Sequence, residues 1–152
     1  MGALSQPSEQ TRFFGRFDHS LDEKGRIVVP SRFRARLGQH FMVTIAPADG
    51  CLALYPLDAW EAYSRILDET AKKDKPHRQF VRYIMQFTDE VSFDGQGRFL
   101  IPPALRAKTG IERDVVILGS TSRVEIWAKD RLDETAPSEE LAEAIVTEMG
   151  LG

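Results

Sequence analysis

Apolar residues in this chain fall in short clusters whose spacing alternates between strand-like and helix-like, and the alternation runs twice in the same order. Residues 14–21 mix aromatic and polar side chains in the manner of a strand. Asp22-Glu23-Lys24-Gly25 then supplies a turn, with Gly25 available for the positive φ of a hairpin. Ile27, Val28 and Val29 form a continuous β-branched run, which predicts a strand covered on both faces. Pro30 ends it. Residues 31–37 read as a short helix with Phe33 and Leu37 on one side and Gly38 as its stop, leaving Arg32, Arg34 and Arg36 off the apolar face. Strands over 41–46 and 51–55 are joined by Pro47-Ala48-Asp49-Gly50. Leu57, Trp60, Tyr63, Ser64 and Leu67 then have the spacing of a helix ending near residue 70.

The charged stretch 72–78 leads into a further helix with Phe80, Val81, Ile84 and Met85 expected to face inward. After it the order repeats: strands over 88–93 and 98–101, a helix over 103–108, strands over 114–119 and 123–127. The end differs. Past Pro137, Ser138 is a cap for a helix with Glu139 and Glu140 in its first turn and Leu141, Ala144 and Ile145 on one face, suited to packing on its own core or on a neighbouring subunit.

The repetition is literal. Shifting the sequence by 72 places aligns residues 20–58 with 92–130 without a gap, and 11 of the 39 positions are identical, where background frequencies give about two or three. A unit of this size is marginal alone, so the two copies are expected to share a core. The organisation predicted is a disordered extension over 1–11, a first unit over 12–71, a linker and helix start over 72–79, a second unit over 80–136 and a C-terminal amphipathic helix over 137–152.

Composition narrows the chemistry. A single cysteine, Cys51, excludes an intrachain disulfide framework and suits a reducing compartment. It is expected to be a small buried hydrophobe. His19, His40 and His77 lack zinc spacing, and no metal or other cofactor is expected. No apolar run is long enough for a membrane span, and the first ten residues lack the apolar stretch of a signal peptide, so a cytoplasmic protein is expected. The net charge of −3 is unevenly spread: residues 12–36 carry seven basic groups against three acidic ones, and residues 130–148 carry seven acidic groups against one basic. A basic front and an acidic rear are compatible with phosphate binding on one face.

The two copies share Asp-x-x-Gly-Arg, three apolar residues, proline, and an arginine four places later: Asp22, Gly25, Arg26, Pro30, Arg34 and Asp94, Gly97, Arg98, Pro102, Arg106. This pattern resembles the AbrB-like swapped-hairpin DNA-binding fold. The tandem arrangement, with Phe-Gly-Arg-Phe-Asp-His-Ser-Leu-Asp over 14–22 before the first copy, resembles the MraZ family of bacterial transcriptional regulators over residues 13–131. The resemblance implies a mainly β fold with peripheral helices (α+β), built of two tandem AbrB-like units intertwined as a pseudo-dimeric barrel. It also implies a ring homo-oligomer, nucleoid association, and double-stranded DNA as partner at direct repeats upstream of the division and cell wall gene cluster. Carried over residue by residue, it makes Arg26 the principal DNA-contacting arginine, with Lys24 and Arg16 near the same surface, Arg34 a further DNA-contacting arginine and Arg98 the second-copy counterpart of Arg26. Asp22, Gly25, Asp94 and Gly97 are its structural turns. Gln96 replaces Lys24 and Thr88 replaces Arg16, so the first copy is expected to dominate binding.

Arginine suits this role because its planar fork can bond two acceptors on a guanine edge, and phosphate neutralisation supplies affinity. The same residues also admit a plainer reading, in which Asp22 pairs with Arg26, and Asp94 with Arg98, simply to stiffen each turn. Trp60 and Trp127 are expected in core or interface, and His19 as a polar strand residue. No nucleophile elbow, P-loop, dinucleotide fingerprint or zinc spacing is present, so no enzyme and no catalytic residue is expected. The alternative function is a non-catalytic assembly or partner-binding protein that does not bind DNA.

Overall fold

The computed structural model describes residues 12–151, so the extension expected over 1–11 lies outside the described residues. The first copy comprises β1 (Arg16–Ser20), β2 (Arg26–Val28), α1 (Ser31–Leu37), β3 (His40–Ala46), β4 (Cys51–Pro56) and α2 (Leu57–Ala71). Helix α3 (Lys75–Met85) leads to the second, with β5 (Asp89–Ser92), β6 (Arg98–Leu100), α4 (Pro103–Thr109), β7 (Asp114–Ser120), β8 (Arg123–Ala128) and α5 (Lys129–Asp133); α6 (Glu139–Glu148) follows.

The copies exchange strands. Although the turn at Asp22–Gly25 connects β1 to β2, these two do not pair with each other: β1 joins β7 of the other copy, and β2 joins β6. Likewise β5 joins β3. One six-stranded antiparallel sheet results, in the order β1-β7-β8-β4-β3-β5, together with a two-stranded β2-β6 ribbon. The order reads the same from either end once each strand is replaced by its counterpart, so an approximate two-fold axis passes between β4 and β8 and through the ribbon. On it, residues 72 apart face one another: Ala53 opposite Glu125, and Ile27 opposite Phe99. Units intertwined in this way cannot separate without exposing the shared core. The expected barrel is corrected, because among the described residues the large sheet is open, with β1 and β5 as its edges.

The gapless repeat conceals a compensated shift. Ser20 pairs with Asp114, whereas its counterpart Ser92 pairs with His40, so β3 and β7 correspond at an offset of 74. The segment before β7 is two residues longer than that before β3, and the following hairpin is two shorter: residues 47–50 link Ala46 to Cys51, but only 121–122 link Ser120 to Arg123. A two-residue shift preserves the facing of every side chain, so the core survives it.

Ile27, Val29, Phe33, Phe41, Leu52 and Leu54 from the first copy and Phe99, Ile101, Leu105, Ile117 and Ile126 from the second form one core. Phe33 receives Phe13 and Phe17 edge-on, at centroid distances of 5.7 and 5.4 Å. Two expectations are corrected by burial. The run 27–29 is covered on one face only, because the ribbon lies outermost: Ile27 and Val29 are buried while Val28 is exposed. In α3, capped by Asp74, Ile84 is buried and Val81 packs half-buried against the core as expected, but Phe80 and Met85 are exposed. Every residue of α6 is exposed along with its Leu141, Ile145 and Val146 face. Among the described residues no helix is long and apolar enough to cross a membrane.

Candidate nucleic-acid interface

Each repeated turn is organised by its aspartate. Asp22 Oδ1 accepts hydrogen bonds from the backbone N–H groups of Lys24 and Arg26, both at 2.9 Å, and Oδ2 accepts from Arg26 Nε at 2.7 Å. Gly25 N–H closes the turn onto the Asp22 carbonyl at 3.0 Å. Asp94 repeats the pattern with Gln96 N, Arg98 N and Arg98 Nε, each at 2.9 Å. The donated bonds, that of the following arginine's backbone N–H foremost, hold both carboxyls below the ordinary 3.8. The stiffening ion pairs therefore exist in both copies. They consume only Nε: among the described residues, the Nη nitrogens of Arg26 make no hydrogen bond. The two turns are also linked to each other, since Arg98 Nη1 lies 3.9 Å from Asp22 Oδ2.

The ribbon register fixes where these arginines point. Arg26 stands opposite Leu100, Ile27 opposite Phe99 and Val28 opposite Arg98. Ile27 and Phe99 face the core, so by strand alternation Arg26, Val28, Arg98 and Leu100 share the outward face. Both turns flank this face, and Lys24 is exposed at the tip of the first.

Arg34 and Arg106 lie beneath, and their arrangement is crossed. Arg34 Nη1 donates to the Val29 carbonyl at 2.5 Å, and the guanidinium lies against Gly97 of the other copy's turn. Arg106 Nη2 donates to the Glu112 carbonyl at 3.0 Å and lies against Gly25. Both glycines adopt positive φ, +83° at Gly25 and +76° at Gly97, so they meet a steric as well as a conformational demand. Each copy thus props the loop of the other. The sequence reading carried the Arg34 role from the resemblance and did not find this buttress, which joins residues of different copies and so leaves no spacing within either copy to read.

Arg16 is placed elsewhere. It opens β1, while Ser20 at the far end adjoins the turn, four residues or about 13 Å away along an extended strand. Its guanidinium pairs with Asp18 at 3.2 Å and Asp133 at 3.5 Å, foremost the Asp18 hydrogen bond. Lys24, Arg26 and Arg98 are offset in charge by Asp22, Glu23 and Asp94, so the surplus positive charge near the ribbon comes from Arg34 and Arg106. The field of this face is modest.

Away from the ribbon, Arg123 bridges Glu125, Tyr55 and Asp49, and Trp127 Nε1 donates to the buried Glu125 at 2.9 Å. Cys51 is fully buried beside them, and burial pushes its thiol up to about 12. His19 is an exposed residue of β1, Trp60 is half-buried against Tyr55 and Tyr63, and Trp127 is in the core. Among the described residues no group of three His, Cys, Asp or Glu side chains is placed to hold a metal ion.

Comparison with known proteins places this geometry in context. The chain matches, over residues 13–83 and again over 84–145, the family described as "MraZ protein, putative antitoxin-like". It is 44% identical over 145 residues to the transcriptional regulator MraZ of Pelotomaculum thermopropionicum, covering 92% of this chain and 99% of that protein. The transcriptional regulators MraZ of Acetivibrio thermocellus (40% over 140 residues, 91% and 97% coverage) and Pediococcus pentosaceus (42% over 123 residues, 81% and 85%) are similarly close.

Proposed function

The chain belongs to the MraZ family, and from that premise we propose that it is a DNA-binding transcriptional regulator that meets double-stranded DNA with the outward face of the β2-β6 ribbon. The observation that carries this is the presentation of Arg26 and Arg98, both half-buried, on one outward two-stranded face, each fixed through Nε. A two-stranded ribbon fits the major groove, and a guanidinium held by Nε keeps its outer edge preorganised for the O6 and N7 acceptors of guanine. Lys24, at a loop tip, neutralises an adjacent phosphate. Arg34 contributes charge from below while it props the second loop. Arg16, displaced along β1, reaches the backbone beyond the central contact.

The modest charge of one ribbon suits a protein that binds as an assembly. Several subunits of a ring, each engaging one direct repeat, gain affinity through effective concentration without any new contact. The exposed apolar faces of α3 and α6 support such assembly. On this reading the protein acts in the cytoplasm at the nucleoid, on repeats upstream of the division and cell wall genes, and has no catalytic role. A gel shift with DNA from upstream of its own gene, challenged by scrambled competitor and combined with the solution mass of the free protein, tests it. Specific retardation by an oligomer is expected; binding that scrambled DNA competes equally, or a monomer, would refute specificity or assembly respectively.

A further inference from the structure

Val28 and Leu100 are 40% and 53% exposed on the ribbon, although each sits in an apolar run whose other members are buried. Their place is specific: Leu100 is directly opposite Arg26, and Val28 directly opposite Arg98. Each arginine therefore has an apolar side chain beside it across the ribbon, within the roughly 5 Å that separates paired residues. An exposed aliphatic pair ringed by Arg26, Arg98, Asp22 and Asp94 is far smaller than the roughly 800 Å² per partner of a protein interface. It matches a target the size of a methyl group.

The major groove offers one such target, the C5-methyl of thymine. We propose that Val28 and Leu100 are specificity-determining residues that read thymine methyl groups beside the bases contacted by Arg98 and Arg26. This rests on the DNA-binding reading above and adds what that reading lacks, a source of preference for A·T pairs within the contacted sequence. The duplication explains why there are two such residues: the same position in each copy faces outward, because Ile27 and Phe99 meet on the axis with their side chains inward.

The test uses the full chain and the DNA fragment it protects upstream of its own gene, synthesised once with thymine and once with deoxyuridine, which lacks only the methyl. Affinities are measured by fluorescence anisotropy for the wild type and for Val28→Ala with Leu100→Ala, whose exposure makes truncation tolerable to the fold; a thermal melt confirms it. The wild type is expected to bind the deoxyuridine fragment about fourfold to sixteenfold more weakly, since burial of a methyl contributes roughly a fourfold factor and one or both of the two contacts are lost. The double variant should bind both fragments alike while still depending on Arg26. Equal wild-type affinity for the two fragments would overturn the assignment, as would a double variant that keeps the full discrimination. Failure of the wild type to bind either fragment in an Arg26-dependent manner would instead remove the DNA-binding reading, and this inference with it.

Discussion

The guanidinium of Arg34 lies against Gly97, so closely that a Cβ built on the glycine would come within 2.6 Å of Arg34 Cζ. Arg106 stands in the same relation to Gly25, with Nη1 at 2.9 Å from such a Cβ. The two loops of the ribbon face are thereby supported from the opposite copy, so neither is a property of its own unit. Gly97→Ala should test this. Positive φ costs an alanine about 1–2 kcal/mol, and the new methyl must also displace Arg34 from its bond to Val29. Urea unfolding should show a loss of about that size or more, whereas an unchanged midpoint would contradict the buttress.

The carboxyls of Asp22 and Asp94 set the pH behaviour of the loops. Both are held below 3.8, first by the backbone N–H of the following arginine, so their folded values lie beneath the unfolded ones. Their contribution to stability is therefore fully present above about 3.9 and disappears as pH falls through the folded values. A carboxyl-carbon NMR titration is expected to give midpoints under 3.8 for both residues. Midpoints at or above it would show that the loop bonds are not maintained in solution.

Cys51 should be inert. With its thiol pushed up to about 12 and no exposed surface, it offers neither thiolate nor access. A disulfide reagent is expected to label it only after denaturation. Rapid labelling of the native protein would indicate that the β3-β4 hairpin opens readily.

Much of this architecture was legible in the residues, for identifiable reasons. The order of strands and helices followed from turn glycines and prolines, and Phe33 and Leu37 lie on the buried face that their spacing required. The outward direction of Val28 was not legible, since three consecutive apolar residues are compatible with a strand covered on one face or on two. The offset of 74 in β3 and β7 was hidden because a longer approach and a shorter hairpin cancel in the alignment, and the matches of Val43 with Val115 and Ile45 with Ile117 are not structural equivalences. Phe80 and Met85 were expected inward because periodicity marks an apolar face without telling which molecule covers it. At the candidate site, the pairing of Asp22 with Arg26 could be anticipated from spacing, but the crossed support by Arg34 and Arg106 depends on strand exchange and has no local signature.

Salt should weaken the DNA complex steeply. Each phosphate neutralised contributes about 0.9 to the slope of log affinity against log salt. Lys24→Ala should therefore flatten the slope by about one per engaged subunit while leaving sequence preference intact. A slope indifferent to Lys24 would place the first loop away from the backbone.

The central claim is that the ribbon face carrying Arg26 grips DNA. Its most direct test is the affinity of the wild type and of Arg26→Ala for the fragment upstream of the protein's own gene, with far-ultraviolet circular dichroism and solution mass as controls. We predict that Arg26→Ala abolishes specific binding, a loss of at least about 1–3 kcal/mol for each guanine contact removed, with fold and assembly unchanged. An Arg26→Ala protein that binds this fragment as tightly and as specifically as the wild type would contradict the account.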